Sequence, residues 1–322
     1  MARTSKSVGK NGTAVATVDH LGGTQLGIGR AVAHHGELLN GLFEDQDGGV
    51  QRAVVTLPMV GVHSIATFWP RETKGIRTRP KGRAKAARAA ALTLKHLGRQ
   101  ELGGDLTIES EIPLGRGFGS STADVVSSIR ATAAACGVTL RRMTISRLAV
   151  AAEGESNAIA YGDQALLFAV AEGRVIELYG ELPPLLVVSF SETKPATRGR
   201  SASGRPRYES EDVQLFAVLR GLLSTAIRRQ DARLLGLVAT RSAQINLKHR
   251  VCTLFDAASA MAREHQACGI QIANSGTLFG ALFDPQERKG TERARRFAER
   301  MNEAGLRDVS IFSVNADGAL SA

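Results

Sequence analysis

Residues 113–124 read PLGRGFGSSTAD, and this stretch decides the fold. Gly115, Gly117 and Gly119 alternate with other residues, and glycine readily adopts the positive φ that lets a backbone approach a ligand closely. A helix that begins near Ser120 would direct its unpaired N–H groups toward the same place. The pattern favours phosphate binding by residues 113–119, here called the glycine loop, over a plain turn.

The residues on both sides of the glycine loop predict regular structure. Ser121 and Asp124 have the spacing of a capping box, and apolar side chains then recur at helical spacing, at Val125, Ile129, Ala133 and Cys136. Residues 105–112 (DLTIESEI) alternate in polarity like a half-buried strand. The order is strand, glycine loop, helix. The chain contains no G-x-x-x-x-G-K-[ST] motif, and the Pro-Leu lead does not suit a dinucleotide fold, so a different nucleotide fold is expected.

The stretch PLGRGFGSSTAD resembles the second motif of the GHMP small-molecule kinases, approximately P-x-G-x-G-[LM]-[GA]-S-S-[AT]. This family includes galactokinase, homoserine kinase, mevalonate kinase and phosphomevalonate kinase. Phe118 stands where Leu or Met is usual. The resemblance implies that this loop binds the phosphates of ATP, through Pro113, Gly115, Arg116, Gly117, Phe118, Gly119, Ser120, Ser121 and Thr122. Arg116 would neutralise phosphate charge or point to solvent.

Two further stretches resemble the other motifs of the family, in the expected order. Residues 29–41 (GRAVAHHGELLNG) resemble the first motif, with Gly36 and Glu37 at its core, and residues 274–280 (NSGTLFG) resemble the third. The three motifs span about residues 25–315. Within the family, IPLGRGFGSSTAD together with HHGELLNG is most similar to the L-threonine kinase branch associated with cobalamin side-chain synthesis.

The resemblance implies an α+β, two-domain GHMP-kinase fold. We expect a flexible leader (1–20), a mixed α/β ATP-binding domain (21–182) and a C-terminal antiparallel sheet covered by helices (183–322). The N-terminal patterns predict strands 54–57 and 64–68, helix 86–97, helix 144–153 capped by Thr144, and a hairpin of 164–169 with 174–178. The C-terminal patterns predict strands 185–191, 269–274, 278–283 and 309–314, and helices 212–229, 231–248, 253–268 and 287–304.

Composition excludes several classes of protein. The three cysteines are odd in number and far apart in 322 residues, which supports neither a disulfide framework nor a zinc site and indicates a reducing cytoplasm. The chain has no apolar run near the roughly 18 residues of a membrane helix. We therefore expect a cytoplasmic protein without a membrane partner, and a homodimer is left open.

The net charge of +10 comes mainly from residues 71–99, which hold ten Lys or Arg and one acid, Glu72. Nucleic-acid binding is one interpretation, but this segment has no Phe, Trp or Tyr to stack on bases. We favour a solvated face that also attracts anionic ATP. A second basic segment, residues 194–207, either closes over nucleotide or an acidic substrate, or is a surface insertion.

Phosphoryl transfer to an alcohol requires a metal site and a positioned hydroxyl group. Ser121 and Glu153 are the Mg²⁺ ligands we expect from residue chemistry and from the resemblance, with a solvent-facing helix end as the alternative for Glu153. Asp163 is the candidate base, since the glycine before it and the Gln after it resemble galactokinase. Its Ala-Tyr-Gly lead departs from the family, some members lack a base, and Asp163 could instead cap a turn while Asn157 or Glu155 contacts the substrate.

The first and third motifs are expected on the acceptor side. The resemblance places Arg30 and Glu37 among the catalytic residues, beside His34, and the predicted substrate contacts are His35, Gly36, Asn157, Ser275, Gly276 and Thr277. The spacing of HHGE does not suit zinc. The expected function is Mg²⁺- and ATP-dependent phosphorylation of a hydroxy amino acid such as L-threonine. The alternatives are another alcohol acceptor (homoserine, L-serine, a sugar or an isoprenoid alcohol) and a catalytically weak nucleotide-binding regulator.

Overall fold

A computed structural model describes residues 25–44, 49–191, 208–248, 252–274, 277–316 and 318–319. These residues contain seven helices: α1 (Ala84–His96), α2 (Ser120–Ala135), α3 (Arg142–Glu153), α4 (Ser210–Arg228), α5 (Ala232–Leu247), α6 (Thr253–Glu264) and α7 (Gly290–Glu303). They contain ten strands: β1 (Gly27–Glu44), β2 (Val50–Arg71), β3 (Ile76–Arg79), β4 (Gly103–Ser110), β5 (Ala165–Ala169), β6 (Arg174–Gly180), β7 (Leu185–Ser191), β8 (Gly269–Ile272), β9 (Leu278–Phe283) and β10 (Arg307–Val314). The predicted leader, the basic segment 194–207, Ser275 and Gly276 lie outside the described residues.

All ten strands join one sheet, in the order β10-β7-β9-β8-β1-β2-β4-β3, with the β5–β6 hairpin paired to β2. The pairs are antiparallel except β3 with β4. The predicted domain boundary near Leu182 falls between β6 and β7, and the sheet crosses it where Glu37 of β1 faces Ile272 of β8. This pair brings the first motif next to the third. The division into two domains stays a prediction.

The prediction of two separate strands at 54–57 and 64–68 was wrong, because β2 is one strand of 22 residues. It pairs with β1 along its length, and the register shifts between Val32 and Ala33 and again between His34 and Leu39. Pro58 faces His34 beside these shifts, and Gly61 lies in the β2 segment that the first shift skips. Bulges of this kind accommodate proline and glycine inside a strand. Pro58 and Gly61 therefore coincide with bulges in β2 and do not end the strand.

Helix α2 packs directly against β1, which brings the glycine loop to the sheet. A Cβ atom on Gly29 would lie 2.1 Å from the carbonyl oxygen of Ser127, so only glycine permits this close approach. The apolar face predicted for α2 is confirmed at Val125 and Ile129, which are fully buried in a core that also includes Ile145 of α3. Cys136, the last predicted member of that face, is half-buried at the C-cap position after the helix. The start of α2 is thus held in place by core packing on both of its sides.

The C-terminal half has its own apolar core on the strands β7, β8 and β9. Phe190 and Phe279 are fully buried on neighbouring strands and stack with ring centroids 5.5 Å apart. Phe297 of α7 packs on Phe190 edge to face, at 5.8 Å. Helices α4 and α5 cover β1 from the other side, with Phe216 against Gly41. Helices therefore cover the antiparallel sheet as expected.

The remaining predicted elements form within four residues of their expected bounds. One helix start was wrong: α3 begins at Arg142 with Arg141 in the N-cap position, so Thr144 lies inside the first turn and does not cap it. Strand β1 was not predicted, because its second half is buried at nearly every position and does not alternate. In the described part of the chain, no helix combines the length and apolar character needed to cross a membrane.

Candidate active site

The glycine loop has the conformation that its sequence predicts. Gly115, Gly117 and Gly119 have φ values of 70°, 92° and 73°, in the left-handed region that favours glycine. Gly119 is the N-cap residue of α2, and because glycine has no side chain the N–H groups of the first turn remain available to a ligand. The predicted helix start at Ser120 is confirmed. This geometry suits an anion.

The predicted capping box between Ser121 and Asp124 does not form. Asp124 points into the protein, where its Oδ1 accepts a hydrogen bond from the Ser64 hydroxyl at 2.7 Å and its Oδ2 lies 2.8 Å from the Arg83 guanidinium. Burial raises the pKa of Asp124, and the contacts with Ser64 and Arg83 lower it. Asp124 therefore anchors α2 to β2, and the helix N-terminus stays uncapped.

A cleft lies between the glycine loop and the start of α1. Its lining includes Arg83 and Lys85 from α1 and its N-cap, and Gly115, Ser120 and Ser121 from the loop and α2. Two members of the basic segment 71–99 thus face the place where phosphates are expected. This arrangement favours the interpretation that the segment attracts an anionic nucleotide.

The two predicted metal ligands are neighbours, and one of them, Ser121, lines this cleft. The Ser121 hydroxyl lies 3.5 Å from Oε2 of Glu153, and the Lys85 ammonium lies 3.8 Å from the same oxygen. The Glu153 side chain is 3% exposed, and its Oε1 is buried without a hydrogen-bond partner. Burial raises the pKa of Glu153, opposed by Thr122, Lys85, Ser156 and Ser121. A buried carboxylate oxygen that lacks a partner, beside a hydroxyl group, fits a hard divalent cation.

In the part of the chain that the structure describes, protein side chains alone do not form a complete metal site. Within the described ranges, no three or more His, Cys, Asp and Glu side chains are grouped to hold a metal ion. Phosphate oxygens and water would supply the remaining ligands, which is the usual coordination of Mg²⁺ in nucleotide sites. The structure thus brings Ser121 and Glu153 together.

Arg116 of the glycine loop pairs with Asp308 of β10, the strand at one end of the strand order. The second oxygen of Asp308 accepts a hydrogen bond from the Ser191 hydroxyl at 2.6 Å. The guanidinium of Arg116 and the hydroxyl of Ser191 help to lower the pKa of Asp308 against the effect of burial. Arg116 is thus paired with a carboxylate, an arrangement that neither predicted alternative included.

His34 joins the first motif to the glycine loop. Its backbone N–H donates to the carbonyl of Phe118 at 3.2 Å, and its ring is so close to Gly119 that a Cβ there would lie 2.1 Å from the ring. Its Nε2 is 2.7 Å from the Asn157 amide. Burial lowers the pKa of His34 to about 4, so the ring is neutral near pH 7. His34 therefore links the loop to the predicted substrate residue Asn157.

His35 points the other way, into the core. It is fully buried, with Nε2 bound to the Ser189 hydroxyl at 2.9 Å and Nδ1 bound to the Gln271 amide. Burial lowers its pKa to about 3. The predicted substrate contact at His35 is not brought to the site in this structure. Gly36, with φ 64°, lies against Ala273 and Gln271, where a Cβ would collide with both.

Glu37 lies beside a polar cluster that includes an arginine missed by the sequence analysis. Its Oε2 accepts a hydrogen bond from the backbone N–H of Asn274 at 2.8 Å, and the Asn274 side chain binds Arg52 at 2.8 Å. Burial raises the pKa of Glu37 to about 7, opposed by Arg52 and by the Asn274 N–H. No sequence motif marks Arg52, because its partners are distant in the chain.

Arg30 and Asp163 are both exposed. Arg30 is exposed and contacts the His63 ring, Nη2 to Nδ1, at 3.1 Å. Asp163 is exposed in the turn between the short 3₁₀ helix Ala158–Tyr161 and β5. Arg130 connects the two segments by donating to the backbone carbonyls of Arg30 and Ala160. Among the described residues, no hydrogen bond joins Asp163 to the glycine loop. Thr277 immediately precedes β9 in the third motif.

The chain is similar in sequence to known small-molecule kinases. The family model "GHMP kinases N terminal domain" matches residues 84–173, which include α1, the glycine loop, α2 and α3. The chain is 27% identical over 216 residues to a homoserine kinase of Shouchella clausii, covering 65% of this chain and 71% of that protein. It is 27% identical over 180 residues to an L-threonine kinase of Salmonella typhimurium, covering 55% and 59%.

Solved structures show the same fold. The structure of a homoserine kinase from Cytophaga hutchinsonii superposes with a TM-score of 0.65 at 17% identity, covering 95% of this chain and 98% of that one. The agreement extends over both halves of the chain and confirms the predicted α+β architecture.

Proposed function

We propose that this chain, whose residues 84–173 match the GHMP kinase N-terminal domain, transfers the γ-phosphoryl group of ATP to the side-chain hydroxyl group of a hydroxy amino acid. It is an ATP-dependent small-molecule kinase, and the hydroxy amino acid is the proposed part. L-threonine is the first acceptor to test, because the sequence motifs resemble that branch and one relative is an L-threonine kinase. Homoserine follows, since another relative is a homoserine kinase, and then L-serine.

One observation carries the proposal. Ser121, in the uncapped first turn of α2, contacts Oε2 of Glu153, and the other carboxylate oxygen of Glu153 is buried without a hydrogen-bond partner. If the loop had only a structural role, a buried carboxylate oxygen without a hydrogen-bond partner would destabilise the protein. A kinase needs such an oxygen, because Mg²⁺-ATP supplies the missing partner.

In this proposal the glycine loop holds the triphosphate, with backbone N–H groups of residues 115–121 and the start of α2 directed at the phosphate oxygens. Ser121 and Glu153 would hold Mg²⁺, which neutralises charge that builds up on the phosphates. Lys85 adds a positive charge on the opposite wall of the cleft. The chain thus stabilises charge and fixes orientation, which are the main contributions of a protein to phosphoryl transfer.

On the acceptor side, Asn157 and Glu37 are proposed to orient the substrate, with Arg30 at the margin. Asp163 is proposed to accept the proton of the substrate hydroxyl group. The hydroxyl oxygen then forms a bond to the γ-phosphorus while the bond from that phosphorus to the β,γ-bridging oxygen breaks, and ADP leaves. Asp163 is exposed in a turn, so the substrate must bind with its hydroxyl group directed toward that turn.

The test is an ADP-release screen of the purified protein with hydroxy amino acids, sugars and isoprenoid alcohols. We expect the strongest signal with L-threonine, homoserine or L-serine, and a phosphorylated amino acid as the product by mass spectrometry. Activity only with a sugar or isoprenoid alcohol would refute the amino-acid proposal. ATP binding without ADP release for any acceptor would indicate the regulator instead. A role in cobalamin side-chain synthesis is proposed only if L-threonine is the preferred acceptor.

A further inference from the structure

We infer that Arg52 binds the α-carboxylate of the acceptor amino acid, at a place that the Glu155 side chain occupies in this structure. The inference rests on the proposed function and identifies the group that selects amino acids over other alcohols. Arg52 lies on β2 outside all three sequence motifs, and its side chain is 23% exposed.

The guanidinium of Arg52 is held by groups from three other segments. Its Nε donates to Asn40 Oδ1 at 3.3 Å, its Nη1 to Glu155 Oε2 at 3.3 Å and its Nη2 to Asn274 Oδ1 at 2.8 Å. These partners come from β1, from the segment after α3 and from the segment after β8. The planar guanidinium fork is thereby fixed in orientation, which is the condition for specific recognition of a carboxylate.

Glu155 is the replaceable partner in this set. Its side chain is 49% exposed, and it contacts Arg52 through one oxygen at 3.3 Å. Half-exposed ion pairs of this kind contribute little to stability, because solvent screens them and both side chains lose rotamer freedom. Asn40 and Asn274 are neutral and keep the guanidinium in place when Glu155 moves. A free carboxylate can therefore replace Glu155 without breaking the rest of the cluster.

The same cluster offers a partner for the ammonium group of an amino acid. Asn274 lies between opposite charges: its side-chain oxygen binds Arg52, and its backbone N–H binds the Glu37 carboxylate. Glu37 is buried, and its pKa is raised to about 7, so a cation beside it would favour the ionised form. Arg52 and Glu37, on either side of Asn274, match the carboxylate and the ammonium group of a zwitterionic amino acid. A sugar or an isoprenoid alcohol carries neither charge.

This cluster adjoins the proposed site of phosphoryl transfer. Glu153, Glu155 and Asn157 alternate along one segment, and they contact Ser121, Arg52 and His34 respectively. Alternate Cα atoms are at most about 7 Å apart. These three residues are therefore neighbours. They are the proposed metal ligand (Glu153), the partner of Arg52 (Glu155) and the partner of His34 (Asn157). An acceptor held by Arg52 is close to the γ-phosphate.

The experiment compares two substrates that differ only in the carboxylate: L-threonine and (R)-1-aminopropan-2-ol. We expect the wild-type protein to prefer L-threonine in kcat/KM by about 100-fold or more, because the amine analogue leaves Arg52 without its ligand. In Arg52→Gln, kcat/KM for L-threonine should fall by about 100-fold, and the preference over the analogue should fall to within about tenfold. Arg52→Lys should retain part of the preference, since it keeps the charge and loses the fork.

A matched control is Arg220→Gln. Arg220 forms a similarly half-buried pair with Glu177, at 2.6 Å, and neither residue belongs to a motif, so both substrates should react as with the wild type. Thermal unfolding of each variant checks that it folds. If Arg52→Gln and Arg52→Lys lower kcat/KM equally for both substrates, Arg52 is structural and the inference is wrong.

Glu155→Gln tests the displacement itself. Because the neutral amide of this variant would compete less for Arg52 than the carboxylate does, KM for L-threonine should stay the same or fall by a few-fold. A rise of tenfold or more would show that Glu155 holds Arg52 for the substrate and would overturn the displacement. If no hydroxy amino acid is a substrate of the wild type, the proposed function itself fails, a result separate from any effect of these variants.

Discussion

The ammonium group of Lys85 lies 3.8 Å from Oε2 of Glu153. Lys85 belongs to the first turn of α1, and Glu153 is the last residue of α3, so two helices bring opposite charges to the edge of the cleft. The Lys85 side chain is 56% exposed, whereas that of Glu153 is 3% exposed. If Glu153 binds Mg²⁺, the ammonium group is free to contact phosphate oxygens. The pair thus places one lysine of the basic segment beside the proposed Mg²⁺ ligand.

Glu153→Gln should weaken the use of magnesium. The amide is neutral and a poorer ligand for Mg²⁺, so the Mg²⁺ concentration for half-maximal activity should rise by about tenfold or more. Ser121→Ala should act in the same direction with a smaller effect. The measurement is a Mg²⁺ titration of ADP release at fixed ATP. Glu172→Gln, an exposed glutamate paired with Arg174, is the matched control. An unchanged Mg²⁺ requirement in Glu153→Gln would exclude it as a ligand.

Lys85→Ala should raise KM for ATP about three- to tenfold, because a half-exposed charge loses its contact with phosphate. The effect should shrink as salt is added. Lys95→Ala serves as the control, since Lys95 is exposed in the last turn of the same helix. Equal effects of the two variants would mean that Lys85 contributes only to the overall charge of the helix.

Gly119→Ala should disrupt the site more than its backbone strain alone explains. The new Cβ would lie 2.1 Å from the His34 ring, at a residue with φ 73°. Gly98→Ala is the matched control, with φ 70° and open space around the site of the Cβ. Strain alone costs about 1 kcal/mol, and we expect Gly119→Ala to cost about 2–4 kcal/mol in urea unfolding and to abolish ATP binding. Equal losses for both variants would contradict the steric argument.

Asp163→Asn should reduce kcat by about 100-fold or more while KM for ATP stays within about twofold, because the amide cannot accept the hydroxyl proton. The measurement is steady-state kinetics with the acceptor found in the screen. Asp231→Asn, which alters a carboxylate that caps α5 by accepting from Leu234 N–H at 2.9 Å, controls for the loss of an acidic side chain elsewhere. An unaltered kcat in Asp163→Asn would show that Asp163 is not the base. Glu155 and Asn157 would then be the next residues to test.

The raised pKa of Glu37 predicts a pH dependence of stability. Its pKa is about 7 in the folded protein against an ordinary value of 4.5, so the native state binds a proton more tightly than the unfolded chain. This contribution is complete below pH 4.5 and is lost as the pH rises to about 7, by up to about 3 kcal/mol. His34 and His35 act oppositely, because their pKa values are lowered and the unfolded chain binds the proton more tightly.

The comparison of wild type with Glu37→Gln isolates the effect of Glu37 on the free energy of unfolding, because His34 and His35 are present in both proteins. The difference in free energy of unfolding should change between pH 4.5 and pH 7 and be constant above about pH 8. Urea unfolding at several pH values measures it. A difference that does not vary with pH would show that Glu37 titrates normally.

Local features of the chain could be predicted well. The positive φ of the three loop glycines, the start of α2 at Ser120 and the apolar face of Val125 and Ile129 all depend on residues a few positions apart. The proximity of Ser121 and Glu153 was expected from the order of loop and helices. These features follow from backbone sterics and hydrophobic periodicity, which act within one or two turns of chain.

The errors and omissions share a different cause. Asp124 did not form the capping box, because Ser64 and Arg83 from two other segments bind its carboxylate. The two predicted strands merged into β2, because pairing with β1 continues through the bulges near Pro58. Arg52 was missed, because its partner Asn274 is 222 residues away in the chain.

The amino-acid sequence by itself therefore determined the conformation of the glycine loop, the helix behind it and the candidate residues for phosphoryl transfer. Only the tertiary structure decided which polar side chains meet around Arg52 and Glu37, and that His34 faces the loop while His35 enters the core. The physical reason is that local backbone preferences are encoded in neighbouring residues. Contacts between distant segments depend instead on strand register and core packing, which involve the whole chain.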